Sequence, residues 1–415
     1  MNTWSLSWHG LKTVVDLEIR QRVKSRRWLW ALIAWFVFIG LITGLVMWSI
    51  YRSYAYSVCS DPYTPCSVAD SPAGPIAFSA IVMFVLGMGL VVAPAFTATS
   101  INGDRSQGTL ATLQATRLSS VEIVAGKLVV AWLTAAAFLV VASPFIIASM
   151  VLGGISVWQV LVCLAVIFVL VAVVCAIGLG WSSIFSRSAA STVMTYLSII
   201  TLAIISPLVL LMSAPFLEQS QTVEVWGLTD TQWAEYVDAV DNFWAENPDG
   251  DPTNSPLPPV DQCQWHTEAR MYTRVDKAWW LLIPNPFVIV ADAAPLSQSA
   301  KNGDSEDFLS MIRFAVRQAA QPPASQVDDC TRLYDWNPAF RVVSRQDGTL
   351  VVVTQDGTPV NVPASPVGPR TPSSEIAVWY WGLGVNLLLG GVFFFVAVRR
   401  LRIPYGKLVK GTRVA

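Results

Sequence analysis

Residues 157–181 read VWQVLVCLAVIFVLVAVVCAIGLGW, 25 consecutive residues without an acidic or basic side chain. A hydrocarbon core about 30 Å thick requires roughly 20 apolar residues of helix, so this stretch is long enough to cross a bilayer. The composition agrees, with 53% hydrophobic and 13% charged residues and a mean hydropathy of +0.51. Five further stretches have the same character: 28–50, 76–99, 127–152, 189–215 and 377–398. The sequence therefore predicts a membrane protein, an all-α transmembrane bundle of six helices.

Basic residues are concentrated at the two ends of the chain. Six precede the first predicted span and six follow the last: Lys12, Arg20, Arg22, Lys24, Arg26 and Arg27, then Arg399, Arg400, Arg402, Lys407, Lys410 and Arg413. Segments rich in Lys and Arg remain in the cytoplasm, so both termini are predicted to be cytoplasmic. Residues 1–27 are expected to form an amphipathic interfacial helix and residues 399–415 a basic tail. With six spans, the loop 100–126 then faces the cytoplasm and the loop 51–75 faces outward.

Residues 216–376 form one large segment between the fifth and sixth predicted spans, on the outer side in this topology. The segment contains 22 acidic and 10 basic residues, a formal charge of −12, whereas the rest of the chain has six acidic and 17 basic residues. Its pattern predicts a small α+β extracellular domain. Helices are expected over 230–246 and 305–320, and short strands over 340–362.

Within this segment, residues 279–294 (WWLLIPNPFVIVADAA) are apolar but too short to cross a membrane. Pro284 and Pro286 interrupt them. One interpretation is a buried strand in the core of the domain. The other, favoured by the Trp279-Trp280 pair and the two prolines, is a broken re-entrant segment at the outer membrane face.

Four of the six cysteines lie in segments predicted to face outward, where an oxidising environment favours disulfides. The expected pairs are Cys59–Cys66 and Cys263–Cys330. Cross-pairing between the two outer segments is an alternative. Cys163 and Cys175 lie about 18 Å apart along the fourth span and cannot pair with each other.

The stretch most informative about function follows the second span and reads DRSQGTLATLQATRLSSVEIVAGK over residues 104–127. Gly108 permits a sharp turn, and a short amphipathic helix is predicted from Thr109. Ser119 and Glu122 have the spacing of a capping box at the start of the third span. A short surface helix between two spans has the geometry needed to receive force from a soluble motor protein.

This stretch resembles the acid-Arg-x-x-Gly-Thr-Leu-x-x-Leu…Thr-x-x-Ser-x-x-Glu-Ile-x-x-Gly-Lys signature of the type-2 permeases of ATP-binding-cassette (ABC) transporters. The six-span plan and the basic N-terminal segment are also similar to that family, as is the position of residues 279–294. In the family, the segment corresponding to about 104–122 is the coupling helix, which docks in a groove of the ATPase subunit. The resemblance implies an ATPase-coupling role for the matching residues: Asp104, Arg105, Gly108, Thr109, Leu110, Leu113, Ser119, Glu122, Gly126 and Lys127.

The chain lacks the sequence patterns of an enzyme. No Walker A motif or other catalytic signature is present, so no catalytic residues are predicted. Only two histidines, His9 and His266, are available, and no metal site is expected. The interiors of the predicted spans contain no Asp, Glu, Lys or Arg that could relay protons or ions, so a separate ATPase must supply the energy. No cofactor is expected in this chain, since ATP and Mg would bind to the partner.

These features together predict the permease subunit of an ABC transporter in a bacterial plasma membrane, exporting an amphipathic or hydrophobic compound. The expected partners are two ABC ATPase subunits, a second permease copy or a homologue, and membrane lipid, but no nucleic acid. An alternative is an ABC-like mechanotransmission or sensing complex that acts on an extracytoplasmic partner without moving a solute. Asn386, Thr97 and Tyr196 could line a path for substrate. Hydrogen bonding between helices is the alternative for Asn386, and bonding to their own helices for Thr97 and Tyr196.

Overall fold

The computed structural model describes most of the chain. The described residues are 6–23, 26–57, 73–108, 118–151, 154–248, 255–256, 259–296, 307–330, 333, 340–344, 350–354, 359–360, 366 and 377–401. Six helical segments among them are long and apolar enough to cross a membrane, as the sequence predicts. Spans one to six are Trp28–Arg52, Ala73–Ser106, Ser120–Met150, Val157–Ile184, Ser188–Leu217 and Trp379–Leu401.

The elements follow one another along the chain with residues 216–376, here called the insert, between spans five and six. The helices are α1 Trp8–Val23, α2 Arg26–Ser57, α3 Ala73–Thr97, α4 Ser100–Ser106, α5 Ser120–Val151, α6 Val157–Ile184, α7 Ser188–Ile200, α8 Ser206–Ser213, α9 Asp230–Glu246, α10 Pro286–Ala293, α11 Phe308–Ala319 and α12 Trp379–Leu401. The strands are β1 Glu218–Gly227, β2 Gln264–Thr273, β3 Gln326–Asp328, β4 Phe340–Ser344, β5 Leu350–Thr354 and β6 Pro359–Val360.

Span four (α6) lies at the centre of the bundle and packs against α3, α5, α7 and α12. Its sequence is apolar on every side, which suits a helix that has neighbours all around it. Two glycines allow especially close contacts, because Gly178 faces Thr97 of α3 and Gly180 faces Phe393 of α12. Spans one and five have most of their apolar side chains exposed, so they lie at the periphery of this single chain.

Span five is interrupted by a π-helical turn, Thr201–Ile205, between α7 and α8. Pro207 causes this interruption, since a proline ring clashes with the carbonyl of the residue four positions earlier. That residue is Ala203, and its carbonyl instead accepts a hydrogen bond from Asn285 Nδ2 of the insert at 3.0 Å. Another segment therefore replaces the helix bond that the proline removes.

The insert combines helices with two small sheets. In the first sheet the strand order is β2-β1-β3, with β1 antiparallel to β2 and parallel to β3. The second sheet has the order β4-β5-β6. The predicted helices and the strands over 340–362 are present, and Thr229 with Gln232 forms a capping box at the start of α9. The sequence analysis missed β1 and β2. Strand β1 begins directly after span five.

The strand interpretation of residues 279–294 is wrong. Trp279–Leu282 form a 3₁₀ turn, and α10 follows from Pro286. Asn285 begins this helix by accepting hydrogen bonds from the amides of Phe287 and Val288, which leaves the two prolines outside the helix interior. The segment packs among the spans, where Phe287 lies beside Gly87 of span two and Ile289 beside Gly382 of span six.

Candidate functional site

The start of α1 is attached to the start of span three through Glu122. The backbone amide and the hydroxyl of Ser7 donate to Glu122 Oε1 at 2.7 and 2.6 Å. Glu122 is only 4% exposed. A Cβ atom at Gly10 would lie 2.7 Å from the Glu122 carboxyl carbon, so this position of α1 has no room for a side chain. The two helices are therefore in direct contact at this point.

The second oxygen of Glu122 completes the predicted capping box. Oε2 accepts a hydrogen bond from the amide of Ser119 at 2.8 Å, and Ser119 Oγ accepts one from the amide of Glu122 at 3.1 Å. One buried carboxylate thus caps α5 and holds α1 at the same time. A buried carboxylate is stable only with such partners.

Lys127 forms a second connection one and a half turns further along α5. Its ammonium lies 2.6 Å from a carboxylate oxygen of Glu18 in α1 and 2.6 Å from one of Asp104 in α4. Lys127 is 2% exposed, whereas the side chains of Glu18 and Asp104 are 14% and 24% exposed. These three residues, the Lys127 triad, join three elements around one buried cation.

Helix α4 is also attached to span four. The amides of Ile101 and Asn102 in its first turn donate to Ser182 Oγ at 3.0 and 3.2 Å. Thr99, at the N-cap position, makes no side-chain capping bond, so a serine of α6 satisfies these amide groups instead. A buried apolar cluster continues this contact: Ile101, Val121, Ile123, Val124, Leu179, Ala397, Val398 and Leu401.

The sequence profile of the ABC-2 family transporter proteins matches residues 12–241, more than half of the chain. The chain belongs to this family. ABC-2 proteins of this kind are membrane components that work with ABC ATPase subunits and are not themselves the ATPase. The match includes spans one to five and all three members of the Lys127 triad. No curated protein matches the chain.

Within this ABC-2 chain, the structure brings together half of the residues expected to couple to the ATPase: Asp104, Ser119, Glu122, Gly126 and Lys127. Arg105 lies in the last turn of α4, and Gly108 has a φ of 73°, the left-handed conformation expected of a turn glycine. Of the coupling helix predicted over about 104–122, the structure describes the two ends, in which α4 ends at Ser106 and α5 begins at Ser120. Thr109, Leu110 and Leu113 fall outside the described residues.

The sequence analysis missed the partners that α1 supplies to this site: Ser7, Gly10, Val14 and Glu18. Val14 packs against Gly126, where an added Cβ would lie 2.5 Å from its nearest methyl group. The sequence alone could have drawn attention to Glu18, because it is one of only six acidic residues outside the insert and lies in a basic segment.

Two of the three residues proposed to line a path are engaged inside the bundle. Thr97 is fully buried and its hydroxyl donates to a carbonyl of its own helix at 3.2 Å. Asn386 is 3% exposed and donates to the carbonyl of Pro284 at 3.0 Å. Thr97 thus makes the bond to its own helix, and Asn386 also donates to the carbonyl of Gly382 in its own helix at 3.0 Å. A role of either residue in a path stays a prediction. Tyr196 is half-buried and donates to a carbonyl of α3 at 2.9 Å, and its role in a path stays a prediction.

The expected disulfide between Cys263 and Cys330 is present, with Cα atoms 6.1 Å apart. It connects the start of β2 with the residues that follow β3. Cys59 and Cys66 lie outside the described residues, and Cys163 and Cys175 are buried in α6.

Proposed function

We propose that this chain is the permease subunit of an ABC exporter in a bacterial plasma membrane. The end of the bundle with α1 and α4 faces the cytoplasm, and the segment over about 104–122 is the coupling segment that contacts the ATPase. Two ATPase subunits bind ATP and Mg and drive the cycle. A second permease copy or a homologue completes the path, through which an amphipathic or hydrophobic compound leaves the cell.

The observation that supports this proposal is the fixation of both flanks of residues 109–117 to the same helix. On one flank, Asp104 is bound to α1 through Lys127 and Glu18. On the other, Glu122 directly binds Ser7, the residue before α1. Because both flanks are fixed, the neighbouring residues cannot take up a displacement of residues 109–117 by themselves. Such a displacement must move α1, α4 and span three together, as force transmission from an ATPase requires.

Charge and hydropathy support the orientation and the class of substrate. The chain termini are basic and the insert is acidic, which supports a cytoplasmic α1 end and an outer insert. In this topology residues 279–294 form a re-entrant segment at the outer face. The charged residues of the spans lie near one end of the span, as Asp104, Glu122 and Lys127 do. The uncharged interiors suit an apolar cargo, and because they hold no relay of Asp, Glu, Lys or Arg, ATP is the proposed energy source.

The test is to purify the full-length chain from its host in mild detergent, identify bound proteins by mass spectrometry and measure vanadate-sensitive ATP hydrolysis. The wild-type chain should retain a stoichiometric ATPase. Leu110→Ala with Leu113→Ala should lose that subunit or its activity by about tenfold, as expected when two apolar anchors of an interface are truncated. The control is Leu387→Ala with Leu388→Ala, on the exposed side of α12, which should behave like wild type.

Wild-type levels of bound ATPase and hydrolysis in the Leu110/Leu113 variant would refute the coupling-helix assignment. A wild-type chain that purifies without an ATPase would refute the proposed function. Recovery of a stoichiometric extracytoplasmic protein together with the ATPase, without solute transport, would favour the mechanotransmission alternative.

A further inference from the structure

Asp292, in α10 of the insert, connects three elements with one carboxylate. Its Oδ1 accepts a hydrogen bond from Arg317 Nε of α11 at 2.6 Å. Its Oδ2 accepts hydrogen bonds from the amides of Val378 and Trp379 at 2.6 and 2.8 Å. The Asp292 side chain is fully buried and that of Arg317 is 9% exposed.

These contacts fix the beginning of span six. The first amides of a helix have no partners within the helix, and the positive end of the helix dipole favours a negative charge there. Asp292 supplies both the hydrogen-bond acceptors and the charge at Trp379, where α12 begins. Arg317 neutralises the same carboxylate from the other side. The geometry of span six at this end thus depends on a residue of α11.

Helix α11 is in turn held by other elements of the insert. Its buried side chains Leu309 and Val316 pack with apolar residues of α10. The chain then continues into β3, which lies parallel to β1, and β1 follows span five without a break. The insert therefore forms a continuous structural path from the end of span five to Arg317, and through Asp292 to span six.

A second connection lies deeper in the bundle, at the turn before α10. Asn285 Nδ2 donates to the carbonyl of Ala203 in the π-helical turn of span five at 3.0 Å. Asn386 Nδ2 of span six donates to the carbonyl of Pro284 at 3.0 Å. Helix α10 is thus attached to span five at its start and to span six at both ends.

We propose that Arg317 is a positioning residue for the transport cycle, by which the insert holds α10 and the outer end of span six as one moving unit. This inference rests on the proposed function. It assigns the insert a role in opening and closing the outer end of the proposed path. Apolar side chains of similar size would pack these elements together at least as well as a buried ion pair. The ion pair adds a fixed orientation, because the Arg317 guanidinium meets one oxygen of Asp292 while the span amides meet the other.

The experiment compares vanadate-sensitive hydrolysis by the complex of the full-length chain with its ATPase. Arg317→Met should lower turnover by about tenfold or more, as expected for loss of a charge-assisted hydrogen bond in a step that requires it. Arg317→Lys keeps the charge and should retain more of the turnover. The control, Arg270→Met, removes an ion pair with Asp329 on the insert that does not touch a span, and should leave turnover unchanged.

A distance measurement tests the movement itself. Spin labels at Met311→Cys in α11 and Tyr380→Cys in α12, both exposed positions, should give the same narrow distance distribution without nucleotide and in the vanadate-trapped state. In Arg317→Met the distribution should broaden or differ between the two states. Should Arg317→Met leave a complex that does not assemble, the double variant Asp292→Asn with Arg317→Met covers that case. Because it removes both charges of the pair, it should assemble, and its ATP hydrolysis should remain slow.

The two proposals fail in different ways. A wild-type chain without bound ATPase or vanadate-sensitive hydrolysis would contradict the proposed function. Normal turnover in Arg317→Met or in the double variant would overturn the inference about Arg317 alone. A wild-type label distance that changes between the two states would also overturn it, since α11 and span six would then move independently.

Discussion

Replacing Lys127 by Met tests the candidate coupling site most directly, because the change keeps an unbranched side chain only one atom shorter and removes its charge. Lys127 is 2% exposed and has carboxylates of Glu18 and Asp104 at 2.6 Å on two sides. In the variant these two carboxylates would lose the cation that they share. Their repulsion should separate α1 from α4.

The size of the effect follows from burial. Removal of one member of a fully buried ion pair costs about 3–5 kcal/mol. The two carboxylates here are 14% and 24% exposed, so water reduces the penalty, and we expect about 2–3 kcal/mol of destabilisation. Adding Glu18→Gln and Asp104→Asn removes the remaining charges. Stability of this triple variant should return to within about 1 kcal/mol of wild type, because uncharged replacements of buried ion pairs are often neutral.

The assay combines thermal unfolding of the purified chain in detergent with ATP hydrolysis by the complex. The Lys127→Met chain should unfold at a temperature several degrees below that of wild type. The control is Lys12→Met, which replaces an exposed lysine of α1 and should unfold at the wild-type temperature. The triple variant should recover stability but not coupled hydrolysis, since α1 would no longer be joined to α4 through charges. Equal stability of the Lys127 and Lys12 variants would refute the burial argument. Recovery of both properties in the triple variant would show that the triad serves stability alone.

Two other changes test contacts on each side of the bundle. Gly126→Ala places a methyl group 2.5 Å from a methyl carbon of Val14 and 2.8 Å from its Cβ and should destabilise the chain by about 1–3 kcal/mol; Val14→Ala in the same chain removes the nearer carbon and should reverse part of the shift in thermal midpoint, and no reversal would contradict the packing. Cys263→Ser with Cys330→Ser removes a bridge across a sequence separation of 67 and should cost about 4 kcal/mol in the chain-entropy model. Peptide mapping without reductant should find this pair, and a peptide joining either cysteine to the first outer loop would disprove it.

The six spans could be predicted from the sequence because each is apolar in itself. The span predicted over 157–181, for example, is the helix Val157–Ile184 in the structure. The capping box of Ser119 and Glu122 was equally predictable, since its two residues lie three positions apart and need no distant partner. Features determined by local spacing or by uninterrupted hydropathy were therefore accessible.

Contacts between distant segments were not accessible in this way. Glu18 and Lys127 are 109 residues apart, and neither side chain indicates the other locally. Pro207 signals a disturbance of span five, but the donor for the freed carbonyl, Asn285, lies about 80 residues further along the chain. Strand β1 is largely polar, and its buried apolar side chains are those of Val223 and Val225, so its hydrophobic alternation is too short to stand out.

Residues 279–294 show how tertiary contacts decide between two local patterns. An apolar run of this length fits a buried strand or a buried short helix equally well. Pro286 can occupy the first turn of a helix, and Asn285 caps that turn, so the helix needs only a surface on which to bury its apolar side. The spans provide that surface, and span six has a glycine, Gly382, where the segment approaches most closely.

The two ends of the bundle use the same construction, a buried basic residue that joins a peripheral helix to the start of a span. Lys127 joins α1 to span three, and Asp292 with Arg317 joins α11 to span six. Between these ends, α6 and α12 are in close contact, with Gly180 against Phe393 and Gly390 against Val173. Close-packed interiors transmit displacement with little compression. In the proposed cycle, a movement of the α1 end would therefore reach span six through α6, and the insert would move with span six because the ion pair at its outer end fixes their orientation.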